Sequence, residues 1–290
     1  MDVELVVDAK ATVGEGPSWH ARSRRLFWVD ILEGNIHVYD PSGECDRIIR
    51  VGQMVGAVVP RHSGGLMLAM HHGFASFDLD SGTLTTIADP EQHLPRNRFN
   101  DGKCDPAGRF WAGTVSIDRE PHAGSLYCLD TDHTVRHVLG GVTCSNGIAW
   151  SLDRSTMYYI DTPTRRVDAF DYDVQTGRVT KRRVAVVVPE ELGKPDGMAI
   201  DAEGMLWIAM WDGGCVTRWN PNSGSLDQTV SIPALHVASC AFGGQNLDEL
   251  YVTTARVRMT EAELAKQPHT GGLFRIRGGM QGAETFEFAG

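Results

Sequence analysis

The stretch Gly108-Arg-Phe-Trp-Ala-Gly113 places an aromatic residue in a β-rich run directly after a turn. The same order of turn, large apolar residue and β-rich run recurs along the whole chain. Its equivalent central residues stand 40, 43, 48, 48 and 44 residues apart and are Trp28, Leu68, Trp111, Tyr159, Trp207 and Tyr251. Six repeats of this length match the four-stranded blades of a β-propeller.

Each repeat offers further strands around its central residue. A segment rich in glycine and small residues precedes it, and an alternating apolar strand follows it. Five repeats also show a fourth strand, so we expect residues 4–9 or residues 285–288 to complete the sixth blade, because ring closure removes exposed sheet edges. The pattern predicts an all-β, six-bladed β-propeller forming one domain over residues 1–290. A β-sandwich or two small β domains is the alternative.

One helical pattern interrupts the repeats. Thr260 and Glu263 have the spacing of a capping box and precede an apolar-containing run in the long connection before the last strand. This spacing predicts a short helix there.

Composition narrows the classes of partner and compartment. A formal net charge of −10 argues against nucleic acid, which requires clustered cations, and no apolar stretch reaches the roughly 20 residues of a membrane span. The chain opens without the basic and apolar regions of an export signal, and its six cysteines are scattered without a Cys-x-x-Cys pair. We therefore expect free thiols and a cytoplasmic location.

In a propeller the first strand of each blade lines the central channel, so equivalent positions form a ring. The positions 11 to 13 residues before the central residues are Glu15, Gly56, Asn100, Asn146, Asp196 and Cys240. Four of these six residues carry a carboxylate or an amide, which are the ligands that hard divalent cations prefer. The pattern favours a cation site at one channel mouth, although Asn and Asp before Gly also simply form turns.

Other catalytic motifs are absent. The sequence has no Gly-x-Ser-x-Gly nucleophile elbow, no His-Glu-x-x-His zinc motif and no glycine-rich phosphate loop. The segment Asp171-Tyr-Asp173 begins like an EF-hand loop but lacks its glycine and final glutamate. The ring of oxygen ligands is therefore the one candidate for chemistry.

Five motifs carry a resemblance to the regucalcin, senescence-marker and gluconolactonase family over essentially the whole chain. They are Gly14-Glu-Gly-Pro17, Asn97-Arg-Phe-Asn-Asp-Gly-Lys103, Ser145-Asn-Gly147, Pro195-Asp-Gly197 and Cys240-Ala-Phe-Gly-Gly244. The resemblance implies a six-bladed propeller that binds one divalent cation (calcium, zinc, manganese or magnesium) and hydrolyses a sugar lactone, which makes it a carboxylic ester hydrolase.

The resemblance also implies roles for individual residues. Glu15, Asn146 and Asp196 match the metal ligands, and Arg98 and Asn100 match residues that contact the lactone, with Asn100 also able to reach the metal side. A further substrate-contacting glutamate of the family lies in a loop that is shortened here to residues 116–123, where Glu120 is its counterpart.

These assignments suggest a mechanism and leave two alternatives open. Asp196 beside the cation is the expected general base for the attacking water, and it then returns a proton to the ring oxygen. One alternative is a calcium-binding regulatory protein without catalysis, and the other is a propeller phosphotriesterase. A pure interaction scaffold would not need acidic and amide groups converging on one channel mouth.

Overall fold

The computed structural model describes all 290 residues and contains six antiparallel four-stranded sheets. They form the blades of a six-bladed β-propeller, which confirms the predicted fold. The first strand of each sheet lies beside the first strands of its neighbours and lines the central channel. No helix is both long and apolar enough to cross a membrane.

Strand order within the blades follows the chain, except at the start and end of the ring. A first strand, β1 (Asp2–Val7), precedes the first blade. Blade one comprises β2 (Gly14–His20), β3 (Arg25–Asp30), β4 (Asn35–Asp40) and β5 (Cys45–Arg50). Blade two comprises β6 (Val55–Pro60), β7 (Leu66–Met70), β8 (Gly73–Phe77) and β9 (Leu84–Ala88). Blade three comprises β10 (Asn97–Cys104), β11 (Phe110–Ser116), β12 (Gly124–Leu129) and β13 (Val135–Val142). Blade four comprises β14 (Ser145–Trp150), β15 (Thr156–Asp161), β16 (Arg166–Asp173) and β17 (Arg178–Val187). Blade five comprises β18 (Lys194–Ile200), β19 (Leu206–Trp211), β20 (Cys215–Asn220) and β21 (Ser225–Ser231). Blade six contains β22 (His236–Gly243), β23 (Glu249–Ala255) and β24 (Leu273–Arg277).

The sixth blade is completed by the N-terminal strand. β1 pairs with β24 in an antiparallel register that sets Val3 opposite Ile276, so the chain start closes the ring. Of the two expected segments, the N-terminal one is therefore correct, although the strand begins at Asp2. Residues 285–288 join no sheet, and Phe288 is instead buried with the core of blades two and three.

The central residues of the six repeats are buried, each at 0 or 1% exposure, in the second strand of its blade. In blades three and five a turn aspartate secures the tryptophan. The carboxylates of Asp105 and Asp201 accept hydrogen bonds of 2.9 Å from the indole Nε1 of Trp111 and Trp207. The recurring turn followed by an aromatic residue is thus a structural unit that fixes the blade core.

The first strand of each blade, which lines the channel and is called its inner strand below, carries a bulge in its pairing with the second strand. The unpaired residues are Gly16-Pro17, Gly56, Asn100, Gly147, Asp196-Gly197 and Ala238. Bulges redirect side chains and are frequent beside active sites.

One expected member of the ring, Cys240, lies differently relative to the bulge of its strand. In blade six the bulge falls at Ala238, whereas Cys240 lies two residues further along and pairs with Val252. The thiol of Cys240 donates to the carbonyl of Trp207 at 3.4 Å and packs in the core between blades five and six.

The short segments outside the blades are a helix and two 3₁₀ turns. The helix α1 (Glu261–Lys266) begins after Thr260, and the predicted capping box is present: Thr260 Oγ1 accepts from the Glu263 N–H, and the Thr260 N–H donates to Glu263 Oε2. The turns are Thr162–Thr164 and Glu190–Leu192. All six cysteines are free, as expected.

The closing role of β1 gives a first prediction. Removing residues 2–8 exposes the edge of β24, uncovers the core that Val3 and Leu5 cover, and leaves the nearly buried Arg275 without its partner Glu4 at 2.7 Å. We expect the melting temperature to fall by about 10 °C or more, because losing a few kcal/mol has that effect in a chain of this size. Scanning calorimetry measures it. The control Asp2→Ser, at an exposed position of β1, should leave the melting temperature unchanged. A deletion variant that melts at the same temperature as the unaltered protein would contradict the closing role of β1.

Candidate functional site

Four inner strands bring oxygen-bearing side chains to one mouth of the channel. Glu15 on β2, Asn100 on β10, Asn146 on β14 and Asp196 on β18 are buried at 3, 7, 3 and 5% exposure. Each occupies or adjoins the bulge of its strand. The local distortion turns these side chains out of the regular ladder, which explains why neighbouring blades present them together.

A chain of hydrogen bonds links the polar residues of blades three and four. Arg98 donates to Asn100 Oδ1 at 2.9 Å, and Asn100 Nδ2 donates to Asn146 Oδ1 at 3.1 Å and to the carbonyl of Ser145 at 2.9 Å. Asn146 Nδ2 then donates to Thr162 Oγ1 at 2.7 Å. The two amides are therefore held in a defined orientation.

The carboxylates are held differently, because no cationic side chain pairs with them. Burial raises the pKa of Asp196 well above its usual value, and the nearby charge of Glu15 raises it further. Burial also raises the pKa of Glu15, with Asp101 adding to the effect, while the Gly16 N–H bond and Arg98 oppose it. Asp196 Oδ1 is buried and has no hydrogen-bond partner. Buried carboxylates normally have a charged partner or a metal ion.

Glycines allow the inner strands to approach closely at this mouth. A Cβ at Gly147 would lie 2.7 Å from the Asp196 carbonyl oxygen, and one at Gly197 would lie 2.0 Å from Ser239 Oγ. Real Cβ atoms do not approach other atoms so closely, so only glycine permits this spacing of the strands. The glycine after each of Asn146 and Asp196 is thus a packing requirement between blades.

The donor set fits a hard cation. Two carboxylates supply two negative charges, and amide oxygens are ligands that calcium and related ions accept. No three His, Cys, Asp or Glu side chains converge as metal ligands anywhere in the protein. A cation at this mouth would therefore need an amide oxygen such as that of Asn146 beside Glu15 and Asp196.

The structure adds two charged residues deeper in the channel that the ring analysis missed. Asp101 and Lys103 are on β10 beyond its bulge, and the Lys103 ammonium donates to the carbonyl of Met198. Burial raises the pKa of Asp101 and lowers that of Lys103, while each charge opposes the shift of the other. Both residues lie within the motif at residues 97–103, but only the register after the bulge reveals that they face the channel.

A third residue that the ring analysis missed, Glu91, supports the substrate side of the mouth. Glu91, at 7% exposure, accepts hydrogen bonds of 3.0 Å from Asn97 Nδ2, Thr114 Oγ1 and the Tyr127 hydroxyl. Asn97 also donates to the carbonyl of Ala123 at 2.8 Å. Glu91 therefore connects the start of β10, the strand that carries Arg98, to β11 and β12. Through Asn97 it also connects that strand to the end of the loop at residues 116–123.

Glu120 is separate from this group. It is exposed on the connection between β11 and β12 and makes no hydrogen bond or ion pair. Its neighbour Asp118 is bound by Arg96 through two hydrogen bonds, the longer of 2.7 Å. The assignment of Glu120 to the substrate stays a prediction.

The opposite mouth has a different character. The C-terminal segment crosses it, with backbone hydrogen bonds from Ala283 to Ile200, from Phe288 to Pro60 and from Ala289 to Gly108. Beneath it lies a cavity of about 130 Å³, with mainly apolar lining and Lys103 as one wall. This end therefore lacks the convergent oxygen ligands of the other mouth.

Fold and site together define a class of protein: a six-bladed propeller whose channel opens on one side into a pocket of buried carboxylate and amide oxygens. Residues 13–256 match the model of the SMP-30/gluconolactonase/LRE-like region, and the chain belongs to that family.

Individual relatives extend the similarity over the full length. The chain is 40% identical over 290 residues to a Bacillus subtilis (strain 168) protein provisionally named sugar lactone lactonase YvrE, covering 100% of this chain and 99% of the relative. It is 42% identical to regucalcin of Xenopus laevis, covering 99% and 98%. The crystal structure of a calcium-binding protein, regucalcin, from Agrobacterium tumefaciens superposes with a TM-score of 0.95 at 28% identity, covering 99% of this chain and 97% of that one.

The contacts of Glu91 give the second prediction. Glu91→Ala removes the acceptor of three buried donors, and we expect it to lower the free energy of unfolding by about 3 kcal/mol or more, because each bond to a carboxylate is worth about 1.5 kcal/mol or more. Denaturant unfolding measures this. Tyr127→Phe removes one of the three bonds and should lower the free energy of unfolding by about a third as much as Glu91→Ala. Equal stabilities of Glu91→Ala and the unaltered protein would contradict the role of Glu91.

Proposed function

We propose that this protein hydrolyses a sugar lactone, an aldono-1,4- or 1,5-lactone of the gluconolactone type, to its aldonic acid with the help of one divalent cation. The observation that supports a cation most directly is the pair Glu15 and Asp196, buried at one mouth without an ion pair. The chemistry is supported by the family and by the relative provisionally named as a sugar lactone lactonase. The six free thiols are consistent with a reducing, cytoplasmic compartment.

Glu15, Asn146 and Asp196 are the proposed ligands. Their oxygens suit calcium, magnesium and manganese, and zinc also accepts carboxylate oxygen. When bound, the cation would polarise the lactone carbonyl and stabilise the oxyanion that develops during hydrolysis. The similarity to regucalcin from Agrobacterium tumefaciens, described as a calcium-binding protein, supports a divalent cation.

Arg98, Asn100 and Glu120 are the proposed substrate contacts. The Arg98 guanidinium is half-buried and uses one nitrogen on Asn100 and the Phe99 carbonyl, which leaves donors for the sugar hydroxyls or the product carboxylate. Asn100 lies between Arg98 and Asn146 and so can contact a substrate on the cation side of the pocket. Glu120 would accept a hydrogen bond from a hydroxyl at the exposed end of the substrate.

Asp196 is the proposed general base. Its Oδ1 receives no hydrogen bond, so a lone pair is available to take a proton from the attacking water. Without a cation, burial raises the pKa of this carboxyl, whereas a cation bound beside it would favour the ionised form that accepts the proton. The same oxygen then returns the proton to the ring oxygen as the carbon–oxygen bond breaks, which yields the hydroxyl and the carboxylic acid of the product.

The third prediction concerns this base. Asp196→Asn preserves the side-chain shape but cannot accept the proton, so we expect kcat for gluconolactone to fall about 10²-fold or more in a pH-change assay. Asp212→Asn is the matched control, because Asp212 is nearby but partly exposed and paired with Lys194 at 2.7 Å. Circular dichroism establishes that both variants fold. Full activity of folded Asp196→Asn with cation present would overturn the assignment.

The fourth prediction concerns the cation and the substrate class. Chelator-treated protein should be inactive towards aldonolactones and regain activity when calcium, zinc, manganese or magnesium is added separately. Cation binding without acceleration of lactone hydrolysis would favour a calcium-binding regulatory protein instead. Faster hydrolysis of an organophosphate ester than of gluconolactone in the same assay would favour a phosphotriesterase.

A further inference from the structure

Thr162 connects two of the proposed cation ligands without being one of them. It begins the turn Thr162–Thr164 directly after β15, beside the channel mouth. Its Oγ1 lies 2.7 Å from Asn146 Nδ2 and 2.9 Å from the carbonyl oxygen of Pro195, the residue before Asp196. One hydroxyl thus bridges the inner strands of blades four and five.

The hydrogens of this bridge can be placed in one way only. A hydroxyl carries one proton, and a backbone carbonyl can only accept, so the Thr162 proton goes to Pro195. The remaining contact must then be donated by Asn146, which fixes its NH₂ group towards Thr162. The amide oxygen of Asn146 is left facing Asn100 and the polar pocket, where Asn100 Nδ2 reaches it at 3.1 Å.

The same hydroxyl also sets the position of the Asp196 backbone. Pro195 pairs with Met210, and Asp196 and Gly197 bulge out directly after it. Gly147 packs closely against the Asp196 carbonyl, and Thr162 bonds the carbonyl of the preceding Pro195, so two contacts hold the strands bearing Asn146 and Asp196 together. The distance between the two side chains is thereby restricted.

We propose that Thr162 is a positioning residue for the cation site: its hydroxyl orients the Asn146 amide with oxygen towards the cation and holds the strand of Asp196 at the matching distance. This inference rests on the proposed cation-dependent function. Without the hydroxyl, the Asn146 amide loses the acceptor of its NH₂ group and keeps only the Asn100 bond to its oxygen, so it can turn and present NH₂ to the cation. Loss of the partner that orients a metal ligand typically weakens metal binding about 10- to 100-fold.

The test compares three variants by calorimetric titration of chelator-treated protein with calcium and, separately, with manganese. Thr162→Val keeps the side-chain shape without the hydroxyl, and we expect a dissociation constant about 10- to 100-fold higher. Thr162→Ser keeps the hydroxyl and should bind within about threefold of the unaltered protein. Thr164→Val is the matched control, because Thr164 Oγ1 bonds only the Asp161 carbonyl in the same turn.

A second readout does not depend on catalysis. The rise in melting temperature that the cation produces should be smaller for Thr162→Val than for Thr162→Ser and Thr164→Val, since stabilisation by a ligand depends on its affinity. If Thr162→Val does not fold, Thr162→Ala removes the hydroxyl without adding a methyl group in its place and should show the same loss.

The outcomes separate the inference from the proposed function. Folded Thr162→Val that binds both cations like the unaltered protein would overturn the inference, as would an equal loss in Thr164→Val, which would assign the effect to the turn. Unaltered protein that binds neither cation would instead overturn the proposed cation-dependent function.

Discussion

Two buried carboxylates at one channel mouth, without a cationic side chain to pair with them, are the constraint on which the site depends. Removing a carboxylate from water costs several kcal/mol unless a charge or hydrogen bonds compensate it. Glu15 receives only the Gly16 N–H among close donors, and Asp196 Oδ1 receives none. The ring of blades holds both side chains in place despite this cost, because each sits on an inner strand packed between two neighbours.

The propeller supplies this rigidity through its blade cores and its closure. The buried central residues anchor the second strands, and β1 seals the last blade against the first. The C-terminal segment crosses one mouth with backbone hydrogen bonds to several blades, so the opposite mouth alone exposes the bulged ends of the inner strands. This asymmetry explains why polar groups collect at one end of the channel while the other end is mainly apolar.

Hydrogen bonds from side chains that are not proposed cation ligands connect the parts of the site. Thr162 links blades four and five, and Asn100 links blades three and four. Glu91 holds the strand that carries Arg98 from behind. Such connections align groups from different blades, which the strands alone do not do because each sheet is an independent hydrogen-bonded unit.

The sequence by itself determined the six repeats, the buried central residues and the four oxygen-bearing positions, because propeller blades recur with a local spacing that one chain displays directly. The sequence offered two segments that could complete the sixth blade. Only the tertiary structure shows that β1 does so, because its pairing with β24 joins segments near the two ends of the chain. Counting residues back from Tyr251 along the sequence could not locate the bulge at Ala238. The position of a bulge depends on which residues of the second strand pair with the inner strand. Thr162 and Glu91 carry no signal of their own, and Asp101 lies in a recognisable motif that does not reveal its place in the channel. The roles of all three come from contacts between segments far apart in the chain, which only folding creates.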